Sequence, residues 1–70
     1  MSEFSRLTKR EHDVLLLIVK SHRDKDIAKH LAISVSTVHK HVRSILRRLE
    51  VSNRTEAANV YWRQHTTKDG

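Results

Sequence analysis

Seventy residues can enclose one modest core and no second one, so the chain reads as a single domain. Fourteen Lys and Arg against eight Asp and Glu leave a net charge of +6, which favours a polyanionic partner, nucleic acid first among them. The absence of cysteine excludes disulfides, thiolate metal sites and cysteine nucleophiles and fits a reducing cytoplasm, and the longest apolar run, Val14 to Val19, is far short of the roughly 20 residues that cross a bilayer.

Residues 1–6 carry no apolar signal segment, and Glu3-Phe4 is what a common cloning site encodes, so this stretch is expected to be a flexible start or a cloning scar. With no proline and a single glycine, Gly70, turns must be located from caps and from breaks in periodicity. Thr8 with Glu11 forms a capping-box pattern and opens a first helix to about Lys20, with Val14, Leu15, Leu17 and Ile18 on one face. A short second helix is predicted from Asp24 to Leu31, with Ile27, Ala28 and Leu31 inward and Asp24 and Asp26 at its positive end.

Ser34 caps a third helix in which Val35, Val38, Val42, Ile45 and Leu49 recur at spacings of three and four, with Leu46 beside them. Its opposite face carries His39, Lys40, Arg43 and Arg47, and the segment from Ser34 to Leu49 holds four Lys or Arg and no acidic residue. Asn53 with Glu56 opens a fourth helix through Ala57, Ala58 and Val60 toward Trp62, and residues 65–70 are expected to fray. Two helices joined by about three residues, the second amphipathic with a basic outer face, have the layout of a helix-turn-helix. Ala28 is placed where the two would cross closely, and Val38 would fill the same junction.

The order and spacing of these residues resemble the LuxR-type, also called NarL/FixJ-type, bacterial helix-turn-helix domain. The resemblance runs from Leu7 to about Trp62. It is carried by Leu7-Thr8-x-Arg10-Glu11, by Val14-Leu15 and Leu17-Ile18, and by Lys25-x-Ile27-Ala28-x-x-Leu31. It continues with Ile33-Ser34-x-x-Thr37-Val38-x-x-His41, Ile45, Leu49, Val51 and Arg54-x-x-Ala57. Two positions depart from the family pattern. Ser21 stands where a glycine usually ends the first helix, and Arg23 stands where Ser, Thr or Pro usually opens the second, so a different or a looser turn is expected, with the cap shifted to Asp24.

The resemblance implies an all-α four-helix bundle containing a helix-turn-helix, acting in sequence-specific binding of double-stranded DNA as the effector domain of a bacterial transcriptional regulator of response-regulator type. On that basis Ser36, His39, Lys40 and Arg43 would reach base edges, whereas Lys25, Ser34, Thr37 and Arg47 would hold phosphates. The fourth helix resembles the family's dimerisation helix. Thr55, Asn59 and Trp62 form its stripe, and the polar Thr55 and Asn59 imply a weak homodimer formed mainly on DNA. A receiver or sensor domain would precede this one in the natural protein, which makes the chain an excised domain or else a stand-alone regulator.

Other chemistry is poorly supported. The apolar stripe of the third helix is read as core, not as a ligand groove. His39, Lys40 and His41 point in different directions on a helix, so a metal site is not expected, and His41 is assigned to the helix edge. No nucleophile is placed beside a base, so neither catalysis nor a cofactor is expected. Phe4, Tyr61 and Trp62 are read as lids on the core in preference to a stacking platform. Two rival functions differ in class: a protein-interaction module using the fourth helix, and a non-specific nucleic-acid binder using the basic face.

Overall fold

The computed structural model describes residues 6–66 and contains four helices: α1 (Lys9–Val19), α2 (Asp24–Leu31), α3 (Val35–Leu49) and α4 (Arg54–Thr66). Among the described residues there is no strand, and the arrangement is the all-α four-helix bundle that the family resemblance implies. Val14, Leu15, Ile18, Ile27, Ala28, Val38, Val42, Ile45, Leu49, Ala57 and Val60 form one continuous core to which every helix contributes. Leu17, Leu31, Val35 and Leu46 are half-buried and pack around it. α1 and α3 are each in contact with the other three helices.

Caps set the helix starts. The Thr8 Oγ1 accepts the Glu11 amide at 3.1 Å while Glu11 Oε1 accepts the Thr8 amide at 3.0 Å, a complete capping box. Ser34 caps α3 through its Oγ, which accepts the Thr37 amide at 3.0 Å. At α4 the reciprocal pattern is displaced by one residue: Asn53 Oδ1 accepts the Glu56 amide, but Glu56 Oε1 accepts from Ser52 N–H and not from that of Asn53. The predicted cap at Asp24 does not form. Arg23 occupies that position with no side-chain hydrogen bond, and Asp24 lies in the first turn, its carboxylate engaged elsewhere.

The helix ends explain how the bundle turns without glycine. Ser21, Ala32 and Glu50 all have positive φ, at 70°, 57° and 59°. Each sits in a Schellman pattern: His22 N–H donates to Leu17 O, Ile33 N–H to Ala28 O and Val51 N–H to Leu46 O, with the shorter bond from the preceding amide present each time. The left-handed turn that glycine usually supplies at the end of α1 is therefore kept with Ser21, contrary to the expected rearrangement. His22, just beyond it, meets His30 of α2 edge to face at 4.8 Å.

Two further expectations change. α4 remains helical through Thr66, beyond the point where fraying was predicted. Trp62 is not a lid, because half of its surface is exposed, whereas Tyr61 is half-buried against the core. Phe4 and residues 67–70 lie outside the described residues.

Candidate nucleic-acid interface

The interface begins with the division of α3 into two faces. Val38, Val42, Ile45 and Leu49 are buried and fix the rotation of the helix. Ser36, His39, Lys40, Arg43 and Arg47 are consequently exposed together on the other side. A core of branched side chains on one stripe thus leaves Lys40, Arg43 and Arg47 exposed on the opposite one. Ala28 of α2 and Val38 of α3, two helices that pack together, are both buried.

Of the residues predicted to hold phosphates, Lys25, Ser34 and Arg47 are exposed and Thr37 is half-buried. The Ser34 and Thr37 hydroxyls lie 2.9 Å apart and share a hydrogen bond, so the N-terminus of α3 is already organised as a unit. Its free amides carry the positive end of the helix dipole, a favourable site for an anion. Thr55, Asn59 and Trp62 are exposed along α4, and Asn59 and Trp62 line two shallow grooves there.

The structure also joins residues that sequence reasoning treated separately. Asp24 Oδ1 and Oδ2 accept Arg54 Nη1 and Nη2 at 2.8 and 3.2 Å, which ties α2 to α4, and His39 Nε2 lies 2.9 Å from Asp24 Oδ2, which ties α2 to α3. The paired hydrogen bonds from Arg54, opposed by partial burial and helped by the nearby Arg54 and His39 charges, hold the Asp24 carboxyl below its usual value. One of the predicted base-reading residues is therefore held by an acidic partner.

A second network braces α3 from behind. Glu11 is almost fully buried. Its Oε2 accepts Ser44 Oγ–H at 2.7 Å, and Arg48 Nε stands 3.3 Å from its Oε1 and donates to Ser44 Oγ. Burial pushes the Glu11 carboxyl up, but the Ser44 and Thr8 hydrogen bonds with the Arg48 and His41 charges outweigh it, and the carboxyl lies below its ordinary value. Arg48 also donates to Arg6 O at 3.0 Å, and Arg6 reaches Glu50 at 3.4 Å. So Arg48, alone among the Lys and Arg of α3, serves the bundle instead of the outer face. The only sequence signal for this network was Glu11 as the second half of a capping box, and its partners lie more than 30 positions away.

No group of three or more His, Cys, Asp or Glu that could hold a metal ion occurs among the described residues, and no helix there is long and apolar enough to cross a membrane.

Comparison with known proteins agrees with this geometry. The family model described as bacterial regulatory proteins, luxR family, matches residues 5–61. The transcriptional regulatory protein LiaR of Bacillus subtilis is 44% identical over 59 residues, which is 84% of this chain and 28% of that protein. The response regulator protein VraR of Staphylococcus aureus is 44% identical over 62 residues, covering 89% of this chain and 29% of the relative. VraR of Staphylococcus saprophyticus matches to the same extent. The chain thus spans less than a third of the length of these relatives.

Proposed function

Because the chain belongs to the luxR family of bacterial regulatory proteins, we propose that it binds double-stranded DNA sequence-specifically, as the effector domain of a transcriptional regulator of response-regulator type. The observation that carries this reading is the segregation of α3, with four apolar side chains buried and Ser36, His39, Lys40, Arg43 and Arg47 exposed on the other side. α3 enters the major groove, where Lys40 and Arg43 donate to guanine O6 and N7 while Ser36 and His39 meet neighbouring base edges. Lys25, Ser34, Thr37 and Arg47 hold the phosphates on either side and set the register.

Residues 1–70 act as one domain, two copies of which meet weakly through Thr55, Asn59 and Trp62 on paired half-sites. In the natural protein a receiver or sensor domain precedes this one, and the protein works in the cytoplasm on the nucleoid. The names of the relatives, a transcriptional regulatory protein and a response regulator, support this assignment.

The test is selection from a randomised duplex library at two salt concentrations, against single-stranded DNA and RNA controls. Enrichment of a paired half-site is expected, with affinity falling as salt rises. Arg43→Ala should relax preference at one base-pair position, at a loss of about 1 to 3 kcal/mol of discrimination. Arg47→Ala should weaken all duplexes alike and reduce the salt slope by about 1. Equal binding to all three nucleic acids would assign the basic face to non-specific attachment, and binding to none would favour a protein partner on α4.

A further inference from the structure

His39 is exposed over 57% of its side chain, yet its Nε2 is held 2.9 Å from Asp24 Oδ2. Asp24 is only 21% exposed and is fixed from the far side by the two hydrogen bonds of Arg54. Three helices therefore converge on one carboxylate: α2 supplies it, α4 immobilises it, and α3 offers it an imidazole. An ionised carboxylate can only accept hydrogen bonds, so the His39 nitrogen facing it must carry the proton. The other ring nitrogen, Nδ1, has no partner among the described residues and belongs to a ring whose surface is mostly open to solvent. In a neutral imidazole whose Nε2 is protonated, Nδ1 is an acceptor.

We infer that Asp24 is a positioning residue for base readout, which fixes His39 so that Nδ1 meets the DNA as a hydrogen-bond acceptor and selects a base presenting an amino group in the major groove. This deepens the DNA-binding reading and rests on it. The major groove offers two such groups, cytosine N4–H2 and adenine N6–H2, whereas guanine shows only acceptors there and thymine an acceptor and a methyl group. His39 therefore discriminates in the sense opposite to Lys40 and Arg43, which are donors. A histidine without Asp24 could present either nitrogen, as donor or acceptor, and would discriminate little. The carboxylate also places a negative charge beside the recognition surface. Its removal should strengthen attraction to any duplex while weakening discrimination at one position, a pair of opposite changes that a merely structural role would not produce.

The experiment is enrichment of a randomised double-stranded library at pH 8.5 with the wild type, His39→Ala, Asp24→Ala and Val60→Ala. The base-pair position whose preference disappears in His39→Ala is the one His39 reads. There the wild type should prefer one base pair, and one orientation of it, about fivefold, Asp24→Ala should lose that preference while binding an unselected duplex more tightly, and Val60→Ala, a core change remote in role from the pair, should keep it. Long-range proton–nitrogen NMR of the wild type gives a check that needs no variant: Nε2 of His39 should be protonated, Nδ1 unprotonated, and the Nδ1 resonance should shift when the selected duplex is added.

A motif unchanged by His39→Ala, an Asp24→Ala motif identical to the wild type, equal relaxation by Val60→Ala, or a protonated Nδ1 would each overturn the inference while leaving DNA binding intact. Failure of the wild type to enrich any motif would overturn the DNA-binding reading and this inference with it.

Discussion

Glu11 carries the clearest consequence at the scale of single residues, since it is the one buried charged side chain among the described residues and all its oxygens are engaged. Its carboxyl and that of Asp24 both lie below their ordinary values in the folded chain. A carboxyl of this kind contributes stability above its unfolded value, near 4 to 4.5, and the contribution disappears as pH falls through the lower folded value. Urea midpoints should accordingly hold steady from neutrality to about pH 5 and fall below pH 4. Glu11→Gln should cost about 1.5 to 3 kcal/mol at pH 7, as expected for hydrogen bonds to a charged group, and should flatten that acid decline. A midpoint of Glu11→Gln equal to the wild type at neutral pH would refute the role given to the network.

Ser21 makes the opposite case, a residue whose backbone is less comfortable than its surroundings require. A non-glycine in the left-handed region costs about 1 to 2 kcal/mol, against which glycine loses about 0.4 to 1 kcal/mol of unfolded-chain entropy on folding. Ser21→Gly should raise stability by up to about 1.5 kcal/mol in a denaturant titration. A clear loss would mean that the Ser21 side chain contributes more than the strain takes away.

Between elements, α2 packs against α3, the helix that carries the exposed Lys40, Arg43 and Arg47. Ala28 is 8% exposed and Val38 is fully buried at that junction. Leucine at position 28 would overfill it at a cost of about 1 to 3 kcal/mol. Ala28→Leu should therefore lower the urea midpoint and, where the protein remains folded by circular dichroism, reduce duplex affinity through the changed angle of α3. Full affinity in a destabilised Ala28→Leu would show that the crossing geometry does not matter for binding.

α1, α2 and α3 were legible as elements because their caps and apolar residues recur within three or four positions, the range over which helix neighbours touch. α4 was less so. Only Ala57 and Val60 are its buried apolar residues among the described ones, too few to define a face, and the cap at Asn53 located it instead. Trp62 was misjudged because aromatic size alone favours burial, while the side of α4 on which it falls depends on how that helix docks against α1 and α3.

For the molecule as a whole, assembly follows from how little α4 offers. Stable protein interfaces bury about 1,200 to 2,000 Å2, and one short helix whose exposed stripe is Thr55, Asn59 and Trp62 falls short of that with a largely polar surface. Equilibrium sedimentation should give a monomer at micromolar concentration for the protein alone, and two copies per duplex when a paired half-site is present. A micromolar or tighter dimer without DNA would overturn the proposal that the duplex brings the copies together.

The sequence by itself determined the helices, their caps, the apolar stripe of α3 and the basic charge opposite it, because each depends on residues within one or two turns of one another. It also carried the family resemblance, since spacing along the chain is what such a pattern records. Only the tertiary structure decided which charges face one another. Asp24 and Arg54 are 30 positions apart and Glu11 and Ser44 are 33, so no local rule pairs them. Burial of the core stripes sets the rotation of each helix, and that rotation leaves Asp24 shared between His39 and Arg54, turns Arg48 inward to Glu11, and leaves Lys40, Arg43 and Arg47 to the solvent face.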